Sequence, residues 1–468
     1  MTISKIKNKI QKIMKASSEN LMNINENPKK ALRSLFIPTF LTLICLSMNG
    51  FIDSIFVAEV GQTSLVAVGI IQSIFVIIIG LGTGLSVATN SLLSYYISRK
   101  LEKKIEETIG NSIVLTLIIG ILSSIILVIL LKPLIAALDI HAAYNDALIY
   151  GYILFGGNIF FFFSAVIPAI LKAYGEVTKT TISLTSTSLL NVVLDYLLIH
   201  VLGYGVLGAA CATTFCSCLC GIMLIYFMKT SDNIHLKFSS LKNFDFNIIK
   251  SILIDSLPVA FESVILSLFA FIANMIFNIY TSTIDLAVFV AVLNIIKFTI
   301  IPTTALSEAN VTITAHLYGA KNFDTIKKLL KYEIKVALLI SVITWIFIYV
   351  FNNDFAIIYS SSKSPLFLYL MTQILPIYAL TLVLMSFSSI SISVLQGIQK
   401  YKASFILSAV RSIFLELLFG VIFAIVFERM MWIYLGFILG TFIGSVISFI
   451  ASNIILNRTI EEIMERGV

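Results

Sequence analysis

The amino-acid sequence predicts an all-α integral membrane protein with about twelve transmembrane helices arranged as two pseudo-symmetric six-helix bundles. Three observations carry this expectation. The 468 residues are 58% hydrophobic and only 12% charged, with a mean hydropathy of +0.99, so there is more apolar surface than a water-soluble domain can bury. Uncharged stretches recur at the length of roughly 17–25 residues that a helix needs to cross a bilayer. Basic residues gather in alternate loops, the asymmetry that orients spans with positive flanks in the cytoplasm.

The spans are read in order from the uncharged runs and the charges between them. The first, 32–58, contains the 19 uncharged residues Ser34 to Ile52 and then Asp53. The second, 63–97, lies within Val60–Ser98; the third, 106–132, within a run centred on Ile109–Leu131; the fourth, 142–172, covers Ala147–Leu171. Asp195 interrupts the next pair, 178–202 and 204–229, standing between the uncharged Thr180–Leu194 and Tyr196–Met228. After the longest internal polar stretch, Thr230–Asn247, come 248–280, 286–318, 323–351, 364–395, 401–427 and 430–457. Val336–Asn353, Ser364–Gln399 and Met430–Asn457 are the clearest uncharged runs of this half. The expected organisation is a cytosolic N-terminal arm (1–31), an N-lobe (32–229), a cytosolic linker (230–247), a C-lobe (248–457) and a cytosolic tail (458–468).

The net charge of +7 follows the topology and does not indicate a nucleic-acid partner. Arg99, Lys100, Lys103 and Lys104 follow the second span, Lys172 and Lys179 the fourth, Lys321, Lys327 and Lys328 the eighth, Lys400 and Lys402 the tenth; the intervening loops hold only Lys132, Lys363 and Arg429. Both termini and all even-numbered loops are therefore expected in the cytoplasm, facing anionic lipid headgroups. The polar start lacks the apolar stretch of a signal peptide and reads as a cytosolic arm. Strict apolar–polar alternation, the mark of a membrane barrel, is absent. Cys45, Cys211, Cys216, Cys218 and Cys220 fall inside apolar spans and read as small packing residues. Gly80, Gly82 and Gly84 lack the preceding strand and following Lys-Ser/Thr of a phosphate loop and read as close helix packing or a hinge.

The halves resemble one another. "SLVAVGIIQSIFVIIIGLGTGLSVATN" lies over "DLAVFVAVLNIIKFTIIPTTALSEANV" at a separation of 221 residues, each followed by a basic loop, and Gly175 lies over Gly397. Six spans return the chain to the same side, so the repeat is parallel, as in transporters whose two bundles alternate access to a central site.

Embedded ionisable residues mark the chemistry, because a charge at bilayer depth is costly unless paired, hydrated or protonated. Asp53 and Asp195 are such residues, and Asn191 stands one helical turn before Asp195. With Thr213 from the next span they make an oxygen-rich set suited to a hard cation or a shared proton. Pro38, 15 residues before Asp53, removes a backbone hydrogen bond and can kink the first span. In the second half, Glu262, Glu308 and Glu416 are embedded with Lys297 and Arg411, whereas the repeat places Ile413 and Leu417 opposite Asn191 and Asp195. Lys297 and Glu308, eleven apart, are expected on one face of a continuous helix, too far apart to pair. Phe160–Phe163, Phe269, Phe271 and Phe387 are candidates to line a cavity for flat lipophilic cations.

"PTFLTLICLSMNGFIDSIFVAEVG", "AVGI", "GLGTG" and "LLNVVLDYLLIHVLGYGVLGAACAT", with "YGAKN" and "QGIQK" in the second half, resemble the multidrug and toxic compound extrusion (MATE) family of cation-coupled exporters, in its DinF-like prokaryotic type. The resemblance covers nearly the whole chain and departs from the family pattern at Ala58 and Tyr196. It implies a sodium or proton site at Asp53, Asn191, Asp195 and Thr213, gating at Pro38, and a C-lobe substrate or cation role for Glu262, with Glu308 and Lys297 as further candidates. It further implies a secondary antiporter and no enzyme: an H+- or Na+-driven exporter of amphipathic, often cationic compounds in the plasma membrane, expected as a monomer without cofactors. A flippase for a lipid-linked precursor is the alternative, though it favours several cavity Arg or Lys to meet phosphates, and only Lys297 and Arg411 are embedded. An intramembrane enzyme would need a nucleophile–base pair or metal ligands at helical spacing, and a primary pump a nucleotide-binding segment; neither is present in the sequence.

Overall fold

The computed structural model describes residues 26–138, 141–234, 245–359, 364–427 and 429–465, with 19, 21, 23 and 24. Most of the expected N-terminal arm, the centre of the 230–247 linker and the end of the tail lie outside the described residues. Among the described residues there is no strand, and ten helices are long and apolar enough to cross a membrane, or twelve with each of two bent pairs taken as one span. In chain order the spans are Pro28–Val60, Gln62–Ser98, Glu102–Ala137, the pair Tyr144–Gly156 and Asn158–Ala173, Val177–Asp195 continued by Tyr196–Val201, and Gly205–Lys229. There follow Phe246–Tyr280, the pair Thr283–Thr299 and Ile301–Gly319, Phe323–Val350, Pro365–Tyr378 with Leu380–Gly397, Tyr401–Phe427, and Met430–Glu465. A short helix absent from the sequence reading, Asn352–Tyr359, precedes the tenth span.

Local chemistry explains where the spans begin and stop. Asn27 accepts a hydrogen bond from the Lys30 amide with Pro28 in the first turn, and Ser364 caps the Phe367 amide with Pro365 in the first turn. Ser282 and Asp285 form a reciprocal capping box that starts the eighth span. The second and eighth spans each stop at a lysine in the left-handed conformation, Lys100 (φ 56°) and Lys321 (φ 57°). These two are 221 residues apart, the separation of the sequence repeat.

The fourth span bends by 46° at Gly157 and the eighth by 43° at Ile300. That second bend corrects one expectation: Lys297 and Glu308 lie on different helical segments and share no continuous face. Lys297 is exposed in the last turn of Thr283–Thr299, and Glu308 is half-buried in Ile301–Gly319.

The chain forms two compact units, Met1–Ala260 with Ala315–Lys321, and Phe261–Thr314 with Asn322–Val468. The first is built around Ile71, Phe75, Leu131, Tyr150, Phe155 and Phe162. In a lipid solvent such contact is driven mainly by packing, so small residues set how closely helices approach. A Cβ on Gly82 would lie 3.2 Å from Phe161, and one on Gly84 only 2.3 Å from the carbonyl oxygen of Ser256, which accounts for the glycine-rich stretch. Ala315–Lys321 joins this unit through His316, whose Nε2 lies 2.8 Å from the Ala173 carbonyl oxygen, and through Tyr318, whose ring packs 5.6 Å from that of Tyr95. Along the fifth span Thr181, Ser183, Ser186 and Thr187 turn their hydroxyls back onto carbonyls of the preceding turn at 2.6–3.1 Å. All five cysteines are free, and Cys216 and Cys220 are buried.

The second unit is centred on an aromatic cluster. Phe277 and Phe289 stack at 4.2 Å, and Tyr434 meets Phe277 edge-on at 5.1 Å and Tyr378 at 5.2 Å. Phe269 packs against Phe437 at 5.6 Å, whereas Phe271 is exposed.

Candidate ion-binding site

A polar seam between the first and fifth spans builds the site. The Pro38 carbonyl accepts hydrogen bonds from Thr42 Oγ1 (2.9 Å) and Thr181 Oγ1 (3.0 Å), and Thr42 also donates to Thr181 (3.0 Å). Further along, Ser188 Oγ donates to the Cys45 carbonyl at 3.2 Å, and Asn49 Nδ2 donates to Asn191 Oδ1 at 2.8 Å. Residues 38, 42, 45, 49 and 53 recur at three- or four-residue steps, and so lie on one helix face. The seam ends at Asp53, 7% exposed, and Asp195, 0% exposed, which lie within electrostatic reach of each other.

Five buried polar atoms at this place have no hydrogen-bond partner among the described residues: Asn49 Oδ1, Asp53 Oδ1, Asn191 Nδ2 and both carboxylate oxygens of Asp195. Four are oxygens. Two carboxylates without a cationic partner are expensive in a bilayer, about 2.5–3.5 kcal/mol each at a helix centre on insertion scales. An oxygen-rich, cation-poor shell of this kind fits a proton or a hard monovalent cation. Among the described residues no cluster of three or more His, Cys, Asp or Glu side chains is placed to hold a metal, so any ion here would be held by two carboxylates and neutral oxygens.

Three neighbours were not singled out from sequence. Asn49 was one, although it stands four residues before Asp53 as Asn191 stands before Asp195; the doubled Asn-x-x-x-Asp spacing was a readable signal. Tyr150 and Gln72 are the others: Gln72 Nε2 donates to the Tyr150 hydroxyl at 3.2 Å, and that hydroxyl feels the charge of both aspartates. Directly after Asp195 the helix widens into the π-helical turn Tyr196–Val201, a departure common at functional sites. At its end His200 Nε2 lies 3.4 Å from Glu59 Oε2, with the ring edge-on to Phe56.

Thr213 is half-buried on the sixth span; its carbonyl accepts from Ser217, and its hydroxyl bonds to no described group. Pro38 lies inside a helix that continues through it. Glu262 belongs to the second unit, where Ser404 donates a short hydrogen bond to Oε1 and Gln396 Nε2 donates to Oε2 at 3.2 Å.

Two six-span sets with acids embedded at mid-span define a multi-pass membrane transporter. The profile of the MatE family matches residues 38–197 and again 258–422, beginning at Pro38 and at Pro258, and the chain belongs to that family. A probable multidrug resistance protein NorM of Bacillus cereus (strain ATCC 10987 / NRS 248) is 24% identical over 337 residues, 70% of this chain and 73% of its own. The outward-facing conformation of a multidrug resistance MATE family transporter of the MOP superfamily superposes with a TM-score of 0.89 at 25% identity, covering 93% of this chain and 97% of that one. A MOP superfamily transporter from Pyrococcus furiosus Vc1, described by a reverse polarity of its binding pocket, gives 0.86 at 26% identity over 92% and 96%. The chain is thus an efflux transporter of the MATE type and not an enzyme.

Proposed function

We propose that this transporter is an antiporter that exports amphipathic, often cationic drugs or toxic metabolites across the plasma membrane, driven by inward flow of H+ or Na+. The observation that carries this reading is the set of buried, unpartnered oxygens at Asp53, Asp195 and Asn49 beside Asn191. Thr213 would add a hydroxyl to the same shell. The multidrug naming of its relatives supports the substrate class.

An ion that neutralises the aspartate pair removes the cost of burying it. A ligand shifts a two-state equilibrium only by its differential affinity for the two states, so the ion must favour one conformation and the drug the other. Bending of the first span at Pro38 would carry the change: it would stretch the bonds from Thr42 and Thr181 to the Pro38 carbonyl, which hold this region to the fifth span. The charge pattern of the loops supports cytoplasmic termini, and the protein is expected to work as a monomer. Efflux of a fluorescent lipophilic cation from vesicles, with proton and sodium gradients imposed separately, tests the reading. Stimulation by one gradient is the expected result; indifference to both would overturn it.

A further inference from the structure

The second unit contains a charged centre that the aspartate pair does not explain. Arg411 is 6% and Glu416 5% exposed, and both belong to the π-helical stretch Val410–Glu416 of the eleventh span. In an α-helix, residues five apart point about 140° away from each other. In a π-helix the i→i+5 bonding sets the fifth residue above the first, so here the winding brings guanidinium and carboxylate to one face. Three glycines of the twelfth span form the seat. A Cβ on Gly440 would lie 2.5 Å from Glu416 Cα, one on Gly444 2.8 Å from Arg411 Cα, and one on Gly436 2.5 Å from the Phe419 carbonyl oxygen.

Arg411 Nη1 donates to Ser388 Oγ at 2.9 Å, and Ser388 is also bonded by Ser445 at 3.3 Å. Its Nε is buried without a partner. The guanidinium lies within electrostatic reach of two carboxylates, Glu416 on its own span and Glu262 from the seventh. The other titratable groups facing Glu416 are the Tyr378 hydroxyl of the tenth span and, packed on that ring, Tyr434 of the twelfth.

Two carboxylates against one guanidinium leave a single negative charge inside the bundle, and an unbalanced buried charge is costly. We propose that Glu262, Arg411 and Glu416 form a second coupling centre that takes up one proton and rejects Na+. A sodium ion needs a shell of several oxygens, and the position such a cation would occupy between the carboxylates is already filled by a guanidinium that repels it. A proton needs one carboxylate oxygen and no added space. The centre stands apart from the aspartate site and holds whichever ion that site uses.

Infrared difference spectroscopy on the purified full-length protein tests this, by following the carboxylic-acid C=O band through a pH titration with sodium or choline as the salt cation. In the Asp53→Asn/Asp195→Asn double variant, a titrating band should remain and be the same in both salts. Adding Glu262→Gln and Glu416→Gln should remove it. Glu333, fully buried with neither carboxylate oxygen bonded, is a separate acid whose band those changes would leave in place. Arg411→Gln should make the band sodium-sensitive, because the competing cation is gone. The proposal is overturned if the aspartate double variant shows no titrating band, if sodium bleaches that band while Arg411 is present, or if the band survives loss of both glutamates. The first two outcomes need no change in the second unit, so they remain decisive should a glutamate variant fail to fold.

Discussion

Asn49 Nδ2 donates to Asn191 Oδ1 across 2.8 Å, and each of these asparagines stands one helical turn before an embedded aspartate. The two Asn-x-x-x-Asp faces therefore meet amide to amide, and the amide bond fixes how the carboxylates approach. Asn49→Leu leaves Asn191 Oδ1 without its donor, a loss worth about 1–3 kcal/mol for a buried acceptor. A lower unfolding temperature and weakened ion-coupled efflux are expected. Unchanged coupling would show that the asparagine pair does not position the site.

Neutralising the acids tests the site itself. Asp195→Asn should abolish coupled efflux while the protein still inserts, because the amide cannot change charge as the ion binds, and Asp53→Asn should act alike. Normal transport by both variants under either gradient would remove the aspartate pair from the mechanism.

Drug and ion should exclude one another, and the coupling must be reciprocal. Drug affinity measured in detergent is expected to fall as pH drops or as Na+ rises, since either cation neutralises Asp53 and Asp195 and favours the drug-free state. Asp53→Asn should flatten that dependence. An affinity indifferent to both ions in the unmutated protein would rule out this antiport scheme.

Pro38→Ala restores an amide that can bond within the helix, stiffening the first span where the Thr42 and Thr181 hydroxyls converge. Slower efflux with undiminished thermal stability is the expected result if this turn bends during transport. Should efflux rate and stability both match the parent, the proline is a static feature.

Topology is checked by single cysteines placed in a cysteine-free background. Positions Lys103 and Lys328 should resist an impermeant thiol reagent in intact cells and react after lysis; Asp285 and Asp354 should react from outside. A reversed pair would break the orientation at that point.

The spans were legible in the sequence because long uncharged runs and sorted basic loops report on the lipid solvent directly. The bends at Gly157 and Ile300 were not, since apolar residues continue through both and hydropathy is blind to direction. The π-helical turns after Asp195 and around Arg411 were equally hidden, because winding depends on the helix packed alongside, as Gly440 and Gly444 show. Asp53 and Asp195 stood out by charge. Asn49, uncharged, did not, and Tyr150 reaches the site from a span in which nothing but its hydroxyl is unusual. Gly436, Gly440 and Gly444, four residues apart, were a visible packing signal for the second unit.

Hydroxyls that bond back to the preceding turn share carbonyls with the helix's own amides, and this loosens the ladder and favours bending. The fifth span carries four such hydroxyls between Thr181 and Thr187, and the wider π-helical turn begins at Tyr196. Asp195 thus sits between two compliant stretches of one rod. A change of charge at that carboxylate is placed to become a change of curvature, which makes the fifth span a transducer in the mechanical sense as well as an ion ligand.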